Sequence, residues 1–338
     1  MTRRLLISLT AALAALALAA CGEKKDTITP PGASRQSLRV MLDWIPNPDH
    51  VGLYRALATG AFRSAGLDVH VQVPTDPATP LQLLAAGRVD LAVSYEPEVM
   101  LARDKGLAIA SIAALVQRPL TSIVSLGAKH VTSVAQLRGK TVGDAGIPYQ
   151  HAYLQTILQR AGVAPSSVKE VNVGSNLVGA MLSGRVDATL GAYWNVEALQ
   201  LRQMGRRVNV IHVENAGVPN YDELVLVART NAIASATSNV LRRFVQTLGR
   251  GYEAVRSNPA AGVASLVTAN PGLSAKLARA SVTATLPSFF PAAGKPWGWQ
   301  EPAQWTAYGQ WMLSHHLITN AGSVAGAQTN QLLAGQGP

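Results

Sequence analysis

Apolar residues along the chain fall into strand-length runs and longer helical stretches, and the pattern occurs twice. Leu83-Leu84-Ala85-Ala86-Gly87-Arg88-Val89-Asp90-Leu91-Ala92 is echoed by Met181-Leu182-Ser183-Gly184-Arg185-Val186-Asp187-Ala188-Thr189-Leu190. Each copy predicts an apolar helix end, a glycine suited to a left-handed C-cap, and a short strand. A second matched pair lies upstream. Ala65-Gly66 leads into Leu67-Asp68-Val69-His70-Val71, with Gly66 22 residues before Arg88. Ala161-Gly162 leads toward Val168 to Val173, with Gly162 23 residues before Arg185. Leu38-Arg39-Val40-Met41-Leu42 and Lys140-Thr141-Val142-Gly143 predict the two opening strands. A repeat of this length constrains the fold more than any single motif.

Each half reads strand, helix, strand, helix, strand, an alternation that favours parallel strands joined by right-handed crossovers. The predicted fold class is therefore α/β with two lobes. Lobe 1 is expected over 38–122 plus 229–320 and lobe 2 over 123–228, with hinge strands near 122–126 and 224–228. Leu224-Val225-Leu226-Val227-Ala228 would carry the chain back, so that the helical material after Asn231 packs on lobe 1. Two crossings make a hinge with a cleft between the lobes, and ligands of open α/β sheets sit beyond the C-terminal strand ends.

The N-terminus reads differently. Arg3 and Arg4 precede an uncharged Leu/Ala-rich stretch from Leu5 to Ala20, short for a membrane span but suited to a secretory signal. Leu18-Ala19-Ala20-Cys21 resembles the bacterial lipobox, which implies signal removal after residue 20 and lipidation of Cys21. Gly22 to Ser37 is polar, with Pro30-Pro31-Gly32, and reads as a flexible tether over 21–37. The Gly-, Ala- and Gln-rich segment 321–338 is expected to be weakly ordered.

Composition changes this picture only in part. The 338 residues include 29 Lys or Arg and 19 Asp or Glu, a net charge of +10. Loss of Arg3 and Arg4 with a signal would lower that to +8. A hydrophobic content of 48% with 14% charged residues excludes a charged disordered chain. One cysteine excludes a disulfide framework and a multi-cysteine metal site. No G-x-S-x-G, H-E-x-x-H or G-x-x-x-x-G-K-[ST] occurs, so neither a catalytic motif nor a metal or cofactor is expected. Arg202, Arg206 and Arg207, and Arg242 and Arg243, lack the aromatic interleaving of a single-strand binder and read as solvated helix faces, with no nucleic-acid partner. His315 and His316 are adjacent and read as a surface or cap pair.

The predicted strand ends carry the informative chemistry. They are Asp43-Trp44-Ile45-Pro46-Asn47-Pro48-Asp49-His50, Ser94-Tyr95-Glu96-Pro97-Glu98, Gly143-Asp144-Ala145-Gly146-Ile147-Pro148-Tyr149, Tyr193-Trp194-Asn195-Val196-Glu197 and Pro219-Asn220-Tyr221-Asp222-Glu223. Aromatics make up 5% of the chain, yet Trp44, Tyr95, Tyr149, Tyr193, Trp194 and Tyr221 all fall here beside acids or amides. Flat π-faces next to acceptors suit a planar heteroaromatic that carries amino groups. These stretches hold no Lys or Arg, which disfavours an anion such as a sulfonate or nitrate. Packing of strand ends and helix capping by Asp43 and Glu197 are the structural alternatives. Trp297, Trp299, Trp305 and Trp311 cluster late and read as packing of C-terminal helices.

Leu42-Asp43-Trp44-Ile45-Pro46-Asn47-Pro48-Asp49-His50-Val51-Gly52-Leu53-Tyr54 resembles the L-D-W-x-P-N-x-x-H-x-G-L-Y signature of thiamine-pyrimidine-precursor binding proteins. These sit within the broader family of nitrate/sulfonate-binding proteins and the yeast-type pyrimidine synthase. Gly60-Ala61-Phe62 with Ala65 to Val69, Ala192 to Asn195 and Tyr221 to Leu224 are also similar to the family. The resemblance, over roughly Leu38 to Leu317, implies the type II periplasmic-binding-protein fold and a solute-binding lipoprotein of an ABC importer. Its partners would be a permease and ATPase complex, a membrane reached through the lipid, and a small heteroaromatic ligand. Its place would be the periplasmic side of a bacterial envelope. The implied ligand is a formylaminopyrimidine-like thiamine precursor; riboflavin or a sulfonate-type solute is the alternative. The implied site is Asp43, Trp44, Asn47, His50, Tyr95, Glu96, Gly146, Tyr149, Tyr193, Trp194, Glu197, Tyr221 and Asp222. The synthases use a lysine, a histidine and a cysteine-rich motif. Ser94 and Glu98 stand near the first two here, and no cysteine cluster exists, so an enzyme is not expected.

Overall fold

Ten strands form two five-stranded sheets in the computed structural model, which describes residues 35–337. The expected signal, Cys21 and most of the tether lie outside the described residues. The chain begins with β1 (Gln36–Met41), α1 (Val51–Ala58), α2 (Ala61–Ser64), β2 (Leu67–Gln72), α3 (Pro80–Ala85), β3 (Leu91–Ser94), α4 (Glu96–Asp104) and β4 (Ile109–Val116). It then crosses into β5 (Thr121–Leu126), β6 (Thr141–Asp144), α5 (Pro148–Arg160), β7 (Lys169–Asn172), α6 (Leu177–Leu182), β8 (Ala188–Tyr193), α7 (Glu197–Gln203) and β9 (Val208–His212). After a second crossing come β10 (Leu224–Arg229), α8 (Thr230–Ile233), α9 (Ser238–Ser257), α10 (Pro259–Ala269), α11 (Ala275–Thr285) and α12 (Pro302–Ser314).

The strand orders are β2-β1-β3-β10-β4 and β7-β6-β8-β5-β9. In each lobe the three strands of the repeat are parallel, and the remaining two pair antiparallel. The same local chemistry builds both copies. Gly87 and Gly184 end their helices at φ +71 and +74, where a side chain would be strained. The next valines, Val89 and Val186, are buried. Asp90 then donates its amide to the Arg39 carbonyl and accepts the Arg39 amide at 2.8 Å. Asp187 does the same with Thr141, accepting its amide at 2.9 Å. The repeated Asp thus anchors the opening strand of its lobe.

Three expectations need correction. Gln36 and Ser37 belong to β1, since they pair with Leu67 and Asp68. β10 belongs to the lobe 1 sheet between β3 and β4, because its unbroken apolar run suits a central strand covered on both faces. The crossings are consequently residues 117–120 and 213–223. The segment 321–337 is packed rather than loose: Leu332 and Leu333 are buried, and Ala327 and Thr329 hydrogen-bond to both sides of Ser111 on β4. Trp297 and Trp305 are buried in lobe 1, as packing residues should be.

Gly52, inside the opening motif, has a steric reason. A Cβ there would lie 2.2 Å from Tyr252 Cδ2 on α9. Tyr252 donates its hydroxyl to the Asp49 carbonyl at 2.7 Å, which fixes the loop between β1 and α1.

Candidate functional site

Between the strand ends of the two lobes lies a narrow cavity, about 380 Å³ of space not filled by atoms when the solvent at its mouth is counted. Lobe 1 contributes Asp43, Trp44 and Asn47 from the loop after β1, and Tyr95 from the end of β3. Lobe 2 contributes Tyr149 and Gln150 from α5, Tyr193 from β8, and Glu197 from the start of α7. Ala145, Ile147, Leu177, Gly191 and Val196 complete the wall.

Asp43 is held rigidly. Tyr95 donates its hydroxyl to Oδ2 at 2.8 Å, and His50 Nε2 meets Oδ1 at 2.8 Å. The Asn47 amide, which can only donate, reaches His50 Nδ1 at 3.2 Å. The imidazole therefore carries its hydrogen on Nε2 and donates it to Asp43. Asn47 caps the turn by accepting the Asp49 amide at 2.8 Å.

On the opposite wall, the Tyr193 amide donates to Glu197 Oε2 at 2.8 Å. Removal from water pushes the Glu197 carboxyl up to about 7. Glu98 is likewise pushed by burial to about 7, although it accepts the Tyr149 amide at 3.3 Å. Tyr95 and Tyr149 approach each other across the lobes with ring centroids 5.6 Å apart. The cavity thus joins aromatic faces to hydrogen-bond acceptors of both lobes.

Glu223 ties the two crossings together. It is fully buried and accepts the Leu120 and Thr121 amides at 2.6 and 2.8 Å, the Thr121 hydroxyl at 2.8 Å and the Tyr221 hydroxyl at 3.0 Å. A second tie spans the lobes: Asn195 donates to Asp49 Oδ1 at 2.8 Å and to Thr285 Oγ1 at 2.6 Å.

Seven of the expected site residues line the cavity: Asp43, Trp44, Asn47, Tyr95, Tyr149, Tyr193 and Glu197. Six do not. His50 sits behind Asp43. Gly146 turns at φ +76 with its amide on Asp144 Oδ1. Trp194 donates to the Pro119 carbonyl and packs near His212, because it follows Tyr193 and projects the other way. Tyr221 is spent on Glu223. Glu96 accepts the Asp222 amide at 2.7 Å, and Asp222 accepts Trp305 Nε1 at 2.8 Å, so both serve the α12 side of lobe 1.

Sequence reasoning missed Ala145, Ile147, Gln150, Leu177, Gly191 and Val196 as wall residues. Gly191 alone left a signal, as a glycine inside a strand marks close backbone approach. A Cβ there would lie 2.2 Å from Gln150 Nε2. Gln150 in turn accepts the Ala145 amide at 2.8 Å. Among the described residues, no group of three His, Cys, Asp or Glu is placed to hold a metal ion.

A model of the NMT1/THI5-like family matches residues 47–262. The formylaminopyrimidine-binding protein of Halalkalibacterium halodurans is 35% identical over 310 residues, covering 90% of this chain and 92% of that protein. A putative thiamine biosynthesis protein of Haemophilus influenzae is 35% identical over 69% of this chain and 73% of its own. The alkanesulfonate-binding protein SsuA of Xanthomonas axonopodis pv. citri, bound to MOPS, superposes with a TM-score of 0.68 at 17% identity, covering 88% of this chain and 99% of that chain. That last likeness shows the fold: two lobes of the periplasmic-binding-protein type. The chain belongs to the NMT1/THI5-like family.

Proposed function

We propose that this member of the NMT1/THI5-like family is the solute-binding component of an ABC importer that captures a thiamine-precursor pyrimidine of the formylaminopyrimidine type. The observation that carries this reading is the composition of the cavity wall. Trp44, Tyr95, Tyr149 and Tyr193 offer flat faces, while Asp43 and Glu197 offer acceptors on opposite lobes. A planar ring would stack on Trp44, and its amino groups would donate to the two carboxylates.

Function follows from contact with both lobes. Only interactions stronger in the closed form shift the population toward it. A ligand seated between Asp43 and Glu197 supplies such interactions, and Glu223 holds the crossings about which the lobes rotate. The closed form is what a permease and ATPase would then accept. Lipidation at Cys21 would keep the protein on the periplasmic side of the envelope; among the described residues no helix is long and apolar enough to cross a membrane.

A sulfonate would need cationic donors, and among the described residues no Lys or Arg lines the cavity. The synthase alternative is disfavoured by Ser94 and Glu98 at the positions near its lysine and histidine. Native mass spectrometry of the protein after incubation with formylaminopyrimidine, riboflavin and an alkanesulfonate tests the reading. A one-to-one adduct with the pyrimidine alone supports it, whereas an adduct with the sulfonate alone overturns it.

A further inference from the structure

The cavity and the shell behind it carry acid from both lobes with no base to balance it. Asp43 and Glu197 line the cavity, and Asp49, Glu98 and Glu223 are buried behind it. Among the described residues, no Lys or Arg is buried and none lines the cavity. The chain as a whole is at +10, so this concentration of acid opposes the average.

The other groups facing Glu197 do not supply the missing charge. Tyr193 gives an amide, and Tyr95 and Tyr149 are phenols. His50 is committed to Asp43 with its second nitrogen accepting from Asn47. From α11, which packs against α7, Thr285 meets Asn195, and Lys276 is exposed and presents only its carbonyl to Gln203. Asn195 leaves Asp49 Oδ2 without a partner.

We propose that the cleft takes its aminopyrimidine as the ring-protonated cation, the proton being drawn from solvent on binding and shared between a ring nitrogen and the Glu197 carboxylate. This inference rests on the pyrimidine reading above. Bringing carboxylates of two lobes together out of water is unfavourable unless they are neutralised. A flat cation against Trp44 relieves that repulsion and gains attraction from the indole face. A neutral ring would leave the repulsion in place. Burial already raises Glu197 and Glu98 to about 7, so a proton held in this region near neutral pH is in keeping with the geometry.

Calorimetric titration with formylaminopyrimidine, in paired buffers of different ionisation enthalpy and at a pH above both the ring's own pKa and the value of about 7 to which burial raises Glu197, tests the proposal. The expected result is uptake of about one proton per ligand bound, with affinity falling up to about tenfold per pH unit. A phenyl isostere with the same substituents should bind at least about 100-fold more weakly, because the site's acceptor is left unpaired. Glu197→Gln, if folded by circular dichroism, should lose most of the uptake. Binding with no uptake and no pH dependence overturns the inference while sparing the pyrimidine reading. Uptake that persists with the phenyl isostere also overturns it, since the proton then resides on the protein. Absence of any binding by formylaminopyrimidine overturns the pyrimidine reading and this inference together.

Discussion

Asn195 of lobe 2 donates to Asp49 Oδ1 of lobe 1 at 2.8 Å, and both side chains are buried. Burial holds the Asp49 carboxyl well above the usual carboxylate range, and the amide of Asn195 pulls it back down. The bond exists only while the lobes are together, so it stabilises the closed form selectively. Asn195→Ala is expected to weaken pyrimidine binding about tenfold, within the cost of about 1–3 kcal/mol for a buried acceptor left unmatched. Stopped-flow tryptophan fluorescence should place most of the loss in the dissociation rate. An unchanged dissociation rate would contradict the assignment.

Trp44 is half-buried at the cavity wall. Trp44→Ala removes one stacking face and should cost about 1–3 kcal/mol of binding, or about 5- to 150-fold in Kd. Trp194→Phe should change affinity by less than about twofold, since Trp194 packs at a crossing outside the cavity. Titration calorimetry on the two variants checks the contrast.

The pH dependence of stability has a definite sign. Burial raises Glu98 and Glu197 from 4.5 to about 7, and Asp222 from 3.8 to about 7. Such groups stabilise the fold fully below their unfolded pKa, and the contribution is lost as pH rises through the folded value. Each costs up to about 1.4 kcal/mol per pH unit across that window. The Tm of ligand-free protein should therefore fall between about pH 4 and 7, and Glu98→Gln should flatten the fall. A slope unaltered by Glu98→Gln would count against the burial argument.

Gly52→Ala places a methyl against the Tyr252 ring. Overpacking of this kind costs about 1–3 kcal/mol. Denaturant unfolding should show that loss, whereas Gly60→Ala, with open space around its Cβ and a strained φ of +70, should lose stability through the backbone alone.

The repeat was legible because its parts are local. Glycine caps, buried valines and strand-anchoring Asp90 and Asp187 are all set within a few residues of each other. Trp44 and Tyr95 were legible because strand ends point at clefts in α/β folds. Trp194 was not separable from Tyr193 by composition; only alternation along β8 divides them. The placement of β10 depends on which partners flank it, a non-local choice that its apolar run leaves open. The Gly-rich segment 321–337 carries few apolar residues, yet Leu332 and Leu333 find a surface on lobe 1 that no local pattern reveals. Gln150 entered the site through a close approach to Gly191, which is set by how α5 lies over β8.

The central claim is that the two lobes close on an aminopyrimidine between Trp44 and the Asp43 and Glu197 carboxylates. Intrinsic tryptophan fluorescence, titrated with formylaminopyrimidine beside an alkanesulfonate, tests it most directly. A saturable change with the pyrimidine, diminished in Trp44→Ala and absent with the sulfonate, is the predicted result. No change with the pyrimidine, or a saturable change with the sulfonate, would contradict it.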